Sequence, residues 1–269
     1  MNLGIGDHIF AKALLDAHKS EFGQIYLSYN SDWAKMGVSP KRKYFVMDMM
    51  NLFFNEPPYI ITEDQSYPKR TVHTFMLQDH LMPVFPHLEQ YLCRGEAPQI
   101  DREFIILTTK VRSNDGGSFS MRNVFNKISS SFLSIMNELS KKYQIILMGE
   151  KTWNIDNLRH SFSLYKEFVQ GIKNRDDRTL PFGTINDMSL SRIQQDCTLM
   201  NKAKAIIVFG HGGNFCMAAA VGNVLCLKND GGKIKPVENY LYGETYDKEG
   251  KFITQDYKKF IGKLDSLRG

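Results

Sequence analysis

This sequence lacks the features that mark several large classes of protein. No apolar run approaches the ~18 residues that a membrane-spanning helix needs. Its first residues, Met1–Asp7, contain no basic segment followed by an apolar one, so a secretory signal is not expected. Neither a Gly-x-Ser-x-Gly motif nor a phosphate-binding P-loop is present. We therefore expect neither a transmembrane nor a secreted protein.

Cysteine and metal-ligand patterns are equally sparse. The four cysteines are far apart and form no CxxC pair: Cys93, Cys197, Cys216 and Cys226. The last three lie among apolar residues, which indicates buried thiols, a reducing compartment and hence a cytoplasmic location. No group of His, Asp and Glu residues has the spacing of a metal site. Neither a metal ion nor another cofactor is expected.

The composition is that of a globular protein without a marked preference for nucleic acid. Apolar residues make up 42% and aromatic residues 12% of the 269 residues, which excludes a disordered chain. The net charge of +5 suits an anionic substrate but does not identify one. Basic residues are scattered except at Lys41–Lys43, so nucleic-acid binding is not expected. Peripheral contact with a membrane is compatible with this charge.

The second half of the chain predicts a parallel sheet covered on both faces. Its apolar strands alternate with helices, which is the pattern of doubly wound α/β proteins. The predicted strands are Phe104–Leu107, Tyr143–Met148, Ala205–Phe209 and Val224–Leu227. The predicted helices are Phe119–Leu139, Ile155–Ile172, Ser189–Asn201, Asn214–Val221 and a closing helix at Glu249–Arg268.

The first half of the chain has a weaker pattern. Its predicted elements are a helix at Ile9–Glu21, strands at Gly23–Asn30, Tyr44–Met47 and Tyr59–Thr62, and a helix at Thr71–Leu92 that two prolines interrupt. The loop Arg94–Pro98 has the composition of a domain boundary. We expect a first domain over residues 1–97, a second over residues 98–250 and the closing helix over residues 251–269.

The most informative segment runs from Asp187 to Ala220. It predicts a polar helix, an apolar strand, the glycine turn Gly212–Asn214 and a helix of small residues. Glycine lets a backbone turn tightly and lets a ligand approach it closely. The following helix directs its unpaired N–H groups and positive dipole end toward the turn, which suits a phosphate. The alternative is a structural turn with Asn214 as a helix cap.

In the order and spacing of three segments, the chain resembles the GT-B glycosyltransferases of the heptosyltransferase type (glycosyltransferase family 9). The segments are Gly4–Leu14, Ile105–Lys110 and Asp187–Ala220. They are similar to the family's glycine–Asp loop, to its strand–Thr–Lys segment and to its glycine turn before an Ala-rich helix. The resemblance implies an α/β protein of two Rossmann-like domains with a cleft between them. The family has a buried strand before the glycine loop, where this sequence has only Met1–Leu3. We therefore expect an abbreviated first domain, which either lacks a central strand or belongs to a shortened form of the chain.

The resemblance also implies an activity and its residues. It implies an inverting, metal-independent hexosyl- or heptosyltransferase that moves a sugar from a nucleotide-diphosphate sugar to a hydroxyl of a glycan or other acceptor. Asp7 is the candidate general base and His8 a weaker one, although Asp7 in this position could instead cap the first helix. The candidate donor-binding residues are Thr108, Thr109, Lys110, Arg112, Glu150, Met188, His211, Gly212, Gly213 and Asn214.

One departure from the family pattern keeps alternatives open. The family often has Asp or Asn at the end of the strand before the glycine turn, and this chain has Gly210 there. A catalytically inactive nucleotide-sugar-binding module of the same fold is therefore one alternative. A GT-B-fold sugar-nucleotide epimerase is another, although it relies on several acidic and histidine residues that this sequence does not assemble.

Overall fold

The protein is an α/β protein, and its described residues form two separate sheets. The computed structural model describes residues 5–21, 23–28, 40–62, 88–112, 133–149, 161–163, 171–180, 189–209, 213–222, 224–228, 241–244 and 262. A two-stranded sheet lies in the first half of the chain, and a seven-stranded sheet lies in the second half. The helices that cover them are α1 (Ile5–His18), α2 (Pro40–Phe54), α3 (Glu89–Leu92), α4 (residues 133–142), α5 (Leu190–Lys202) and α6 (Gly213–Val221).

The first half forms a small parallel unit. Strand β1 (Ile25–Ser28) pairs in parallel with β2 (Tyr59–Thr62), and α2 lies between them in the chain. A short 3-10 helix, Lys19–Glu21, ends the predicted first helix. The strand predicted at Tyr44–Met47 is wrong, because these residues lie inside α2. The buried residues of α2 recur at helical spacing, and this period outweighs the short apolar run: Phe45, Val46, Met49, Met50, Phe53 and Phe54.

The second half forms the large sheet. Its strands are β3 (Phe104–Arg112), β4 (Gln144–Met148), β5 (Ser161–Ser163), β6 (Arg175–Asp177), β7 (Ala205–Phe209), β8 (Val224–Lys228) and β9 (Leu241–Glu244). The strand order is β6-β4-β3-β7-β8-β9, and every neighbouring pair on this path is parallel. Strand β5 pairs antiparallel with the end of β3. The parallel, doubly wound sheet predicted from the sequence is confirmed.

The strand order identifies where the chain reverses direction across the sheet. The six parallel strands, taken in chain order, lie in the sequence 3-2-1-4-5-6, the order of the Rossmann fold. Strand β3 is the first of them and β7 the fourth. The winding therefore reverses between β3 and β7, and open sheets of this kind bind ligands beside the carboxyl ends of such strands.

Several predicted elements need correction. The helix predicted at Ile155–Ile172 is wrong as a continuous element, because Ser161–Ser163 is a strand held by the extended end of β3. Strands β6 and β9 were not predicted, since neither carries the long apolar run of a buried strand. The closing helix lies outside the described residues except for position 262, which is helical. Of the helix predicted at Thr71–Leu92, only the end is described, as α3.

The two halves of the chain share a hydrophobic core. One cluster of buried side chains includes residues of both, such as Ile9 and Phe54 of the first half and Ile106 and Val221 of the second. The predicted boundary loop takes part in this packing. A Cβ atom built on Gly95 would lie 2.5 Å from the backbone nitrogen of Gln195 in α5, so this position accepts only glycine. The division at residue 97 stays a prediction.

Candidate functional site

The candidate site lies beside the carboxyl ends of β3 and β7. Here β3 departs from regular pairing with β7, since its register shifts between Leu107 and Val111. Leu107 pairs with Ile207, whereas Val111 pairs with Phe209, so two additional residues of β3 are accommodated at this end. The irregular segment Thr108–Lys110 therefore coincides with the reversal point of the sheet, where a ligand is expected.

Thr108 and Thr109 hold this irregular segment to the strands on either side. The Thr108 hydroxyl donates to the carbonyl of Ile207 in β7 at 3.3 Å, and the Thr109 hydroxyl donates to the carbonyl of Met148 in β4 at 3.2 Å. Both side chains are completely buried, at 1% and 0% exposure. Their hydroxyl protons are thus used within the sheet, and a direct contact with a donor substrate stays a prediction.

Lys110 and Arg112 lie farther along the same strand. The predicted strand ended at Leu107, but β3 continues to Arg112, and its last three residues pair with Ser161–Ser163. The backbone of these two cations therefore belongs to a paired strand and not to a loop. A paired strand holds Lys110 at a fixed place next to the reversal point, and this suits a residue that binds an anion.

The first turn of α6 lies beside this end of the sheet. Gly213 and Asn214 are the first two residues of α6, which follows β7 in the chain. The first N–H groups of a helix have no partner within it, and its dipole favours an anion at that end. The rest of the helix is buried: Phe215, Cys216, Met217, Ala218, Ala219, Ala220 and Val221. A helix buried this fully has a fixed direction relative to the sheet.

The structure brings together the two glycine motifs, which are the glycine–Asp segment that contains Gly6 and the glycine turn that contains Gly213. A Cβ atom built on Gly6 would lie 3.0 Å from the Sγ of Cys216 and 3.8 Å from the Cα of Gly213. A Cβ atom built on Gly213 would lie 3.3 Å from the Cγ2 of Ile5. The first turns of α1 and α6 are thus in contact, although 207 positions separate Gly6 from Gly213 (213 minus 6). The sequence resemblance named both motifs but could not establish this contact.

The two candidate bases lie in the first turn of α1. Helix α1 begins at Ile5, so Asp7 is its third residue and does not precede it as an N-cap would. The alternative of Asp7 as the N-cap of this helix is therefore wrong, although an acidic residue in the first turn still interacts favourably with the helix dipole. The His8 side chain is completely buried, at 0% exposure. Its role as a base stays a prediction.

The remaining positions of interest are the ends of two elements and four candidate donor-binding residues. Ser189 is the N-cap of α5, since its side chain accepts a hydrogen bond from the backbone N–H of Arg192. Gly149 directly follows the last residue of β4 and has a φ of 113°, a conformation that favours glycine. Four predicted donor-binding residues lie outside the described residues: Glu150, Met188, His211 and Gly212.

The thiols follow the predicted pattern where they are described. Cys197 and Cys216 are buried, as predicted. Cys93 is half-buried and donates to the carbonyl of Cys197 at 3.5 Å. Burial and the neighbouring Glu89 raise the pKa of Cys93 to about 11.

Within the described part of the chain, no group of three His, Cys, Asp or Glu residues could hold a metal ion. A helix long and apolar enough to cross a membrane is likewise not found among the described residues.

Three comparisons were made with known proteins, and similar chains were found among solved structures. No protein-family model and no curated protein sequence matches this chain. Among solved structures, it is similar to the E. coli heptosyltransferase WaaC with ADP-2-deoxy-2-fluoro heptose, at 11% identity and a TM-score of 0.48, over 98% of this chain and 97% of that one. It is also similar to the E. coli ADP-heptose LPS heptosyltransferase II, at 14% identity and a TM-score of 0.48, over 98% of this chain and 96% of that one.

A third similar structure is a family 9 glycosyl transferase from Veillonella parvula. The identity is 11% and the TM-score 0.38, over 100% of this chain and 88% of that one. These structures belong to the family that the sequence resembles. At such identities and TM-scores, the likeness assigns no substrate and no residue role to this chain.

Proposed function

We propose that this protein is a glycosyltransferase that moves a sugar from a nucleotide-diphosphate sugar to an acceptor hydroxyl, with inversion at the anomeric carbon and without a metal ion. The contact between the two glycine motifs is the observation that carries this proposal. It places the acidic first turn of α1 against the dipole-bearing first turn of α6, beside the reversal point of a Rossmann-type sheet. A base and a phosphate site are the two parts that such a transfer requires.

The donor would occupy the reversal point. The backbone N–H groups of Gly212, Gly213 and Asn214 would bind the diphosphate, with Lys110 and Arg112 as the neutralising cations and His211 beside them. Glu150, which follows β4, would accept hydrogen bonds from the ribose hydroxyls, and Met188 would lie against the base. Cations in these positions supply the charge stabilisation that a metal ion gives in other transferases.

Asp7 would act on the acceptor. Its carboxylate would take the proton of the acceptor hydroxyl while that oxygen forms a bond to the anomeric carbon. The bond from the anomeric carbon to the diphosphate oxygen breaks, and the nucleoside diphosphate leaves with the electron pair. Because attack and departure occur on opposite faces, the configuration inverts. Asp7 directly follows Gly6, whose backbone lies against Cys216 of α6. Its turn of the helix would therefore face the proposed donor site.

The proposal is tested first by ligand binding. Thermal unfolding is measured with ADP-, GDP- and UDP-sugars, because a ligand that binds only the folded state raises the unfolding temperature. The same measurement is made on Gly213→Val, in which a branched side chain obstructs the backbone approach, and on the matched control Gly23→Val, where no atom lies within 4 Å of a new Cβ. A shift that is lost in Gly213→Val alone supports the diphosphate placement, whereas no shift with any nucleotide contradicts the proposal.

Turnover then separates transfer from the alternatives. Donor consumption that requires an added acceptor and releases nucleoside diphosphate supports a transferase. Conversion of the nucleotide sugar without any acceptor would indicate an epimerase. Nucleotide binding without any turnover, across a panel of glycan acceptors, would indicate an inactive binding module.

A further inference from the structure

Lys12 of α1 is a lysine inside the protein. Its side chain is only 7% exposed, whereas lysine is among the residues that are least often buried. It lies four residues after His8 and four before Asp16, so the three share one face of the helix. A buried ammonium is strongly unfavourable unless other groups compensate its charge. The groups around Lys12 must therefore compensate its positive charge.

One carboxylate and three aromatic rings surround the Lys12 ammonium. Its Nζ lies 2.9 Å from the Oδ1 of Asp16. The same Nζ lies 5.8, 5.0 and 5.3 Å from the ring centroids of Phe54, Tyr59 and Tyr91, distances at which a cation is attracted to a ring. The Tyr59 hydroxyl donates to the same Asp16 oxygen at 2.6 Å. We call these five residues the Lys12 cage.

The Lys12 cage joins α1 to three other elements. Phe54 ends α2, Tyr59 begins β2 and Tyr91 lies in α3. Helix α3 is itself attached to the second half of the chain: the Leu88 N–H donates to the Ala220 carbonyl at 2.9 Å, and the Gln194 Nε2 donates to the Tyr91 carbonyl at 3.1 Å. The ammonium thus connects α1 to a segment that is fixed on α5 and α6.

Among the described residues, α1 is therefore attached to the second half at two places besides the shared core around Ile9. The first is the contact of Ile5 and Gly6 with Gly213 and Cys216, and the second is the Lys12 cage, one to two turns farther along the helix. A helix attached at one end alone can pivot about that contact, whereas two attachments determine its direction. The direction of α1 decides where its first turn, and with it Asp7, lies relative to α6.

We propose that Lys12 is a positioning residue, whose buried charge in the Lys12 cage holds the first turn of α1 against the first turn of α6. The catalytic meaning of this role rests on the proposed function, because Asp7 must face the donor. The mechanical role does not, because it concerns only the contact between the two helices. The two can be tested separately.

The mechanical test uses the thiol of Cys216 as the reporter. Cys216 is 4% exposed and lies against Gly6, so a pivot of α1 uncovers it. Lys12→Met keeps the length of the side chain and removes the charge. Native Lys12→Met and native wild-type protein are exposed to a thiol-alkylating reagent, and the modification of each cysteine is followed by peptide mass spectrometry. The matched control is Lys141→Met, since Lys141 pairs with Glu138 at the surface and is 71% exposed.

The expected result is selective exposure of Cys216. Modification of Cys216 should be at least about fivefold faster in Lys12→Met, as for a local opening, while the buried Cys197 of α5 stays protected and Lys141→Met behaves as wild type. Equal acceleration at Cys216 and Cys197 would mean general loosening and would overturn the positioning role. Unchanged modification of Cys216 would overturn it too. If Lys12→Met does not fold, Tyr91→Leu removes one ring and keeps the ion pair, with the same outcomes.

The kinetic test adds the catalytic consequence. In Lys12→Met the kcat for transfer should fall between about 10- and 100-fold, because small displacements of a catalytic group have large effects, while the KM for the donor is unchanged. Lys12→Arg should recover most of the rate, since a guanidinium also stacks on rings and pairs with a carboxylate. A raised donor KM with unchanged kcat would contradict this consequence. If wild-type protein shows no transfer, the proposed function fails, and the Cys216 result still decides the role of Lys12.

Discussion

The backbone of Gly6 lies directly against the side chain of Cys216, at a distance where an added methyl group would force the thiol to move. A Cβ atom on Gly6 would lie 3.0 Å from the Cys216 Sγ, closer than nearly all carbon contacts in proteins. Glycine inside a helix costs about 0.5–1 kcal/mol relative to alanine. Here that cost accompanies a close approach between α1 and α6, and this approach brings the two glycine motifs together.

The variant Gly6→Ala tests whether this contact matters. We expect a net loss of about 1 kcal/mol in the free energy of unfolding, because overpacking outweighs the gain in helix propensity. Adding Cys216→Ala makes room and should recover part of this loss, so the two substitutions should be non-additive. Chemical denaturation measures both effects, with Gly23→Ala as the control at an open position. A Gly6→Ala protein more stable than wild type would contradict the contact.

The variant Asp7→Asn tests the candidate base. Removing the proton acceptor should lower the rate of transfer by roughly 10²–10⁴, while donor affinity changes little, because the proposed donor site lies in the second half. Some stability is also lost, about 0.3–1 kcal/mol, since the first turn of α1 loses a negative charge. Steady-state kinetics and calorimetry provide the two measurements. Asp48→Asn, on the exposed face of α2, is the control, and a near-normal rate would remove Asp7 from the mechanism.

The variant Thr109→Val separates a role in the sheet from a role in donor binding. The Thr109 hydroxyl donates to the Met148 carbonyl within the sheet. Its loss should lower the free energy of unfolding by about 1 kcal/mol and leave nucleotide affinity unchanged. Denaturation and isothermal titration with the nucleotide test this pair of expectations. Unchanged stability together with a large loss of affinity would assign the hydroxyl to the ligand.

The variant Asp196→Asn tests how the stability of the folded protein depends on pH. Burial raises the pKa of Asp196 above its ordinary value of 3.8, and this outweighs the opposite effects of Arg192 and Arg178. The folded protein therefore binds this proton more tightly than the unfolded chain does, so its stability falls as pH rises from about 3.8 through the folded-state pKa. Asn does not ionise, so the unfolding temperature of the variant relative to wild type should increase with pH.

The measurement is a series of thermal unfolding curves between acidic and neutral pH. Asp101→Asn serves as the control, because Asp101 is exposed. A difference between Asp196→Asn and wild type that is constant over this range would show that the Arg192 pair compensates the burial of Asp196 fully.

The sequence predicted those elements that local periodicity determines. Strands β3, β4, β7 and β8 each contain a continuous apolar run, because both faces of a central parallel strand are covered, and each was found close to its predicted position. The residues Tyr44–Met47 were assigned to a strand because a four-residue apolar run does not distinguish a strand from a buried helix. The longer run of α2 contains the helical period, which a short window misses.

The candidate site was predictable only in its separate parts. Both glycine motifs were visible, since their chemistry is local, but the contact between Gly6 and Cys216 depends on how two distant helices pack. The Lys12 cage was not predicted for the same reason. Lys12 and Asp16 have the spacing of an ordinary surface ion pair, but rings from three other elements surround the Lys12 ammonium and bury this lysine.

The close packing of Gly95 on α5 has a consequence for motion between the halves of the chain. The backbone of α5 is in direct contact at this position, and hydrogen bonds from Leu88, Cys93 and Gln194 fasten the same segment to α5 and α6. Residues 88–95 must therefore travel with the second half as one body. A rigid body that contains α5 and α6 therefore also contains Tyr91 of the Lys12 cage, although Tyr91 precedes the predicted boundary at residue 97.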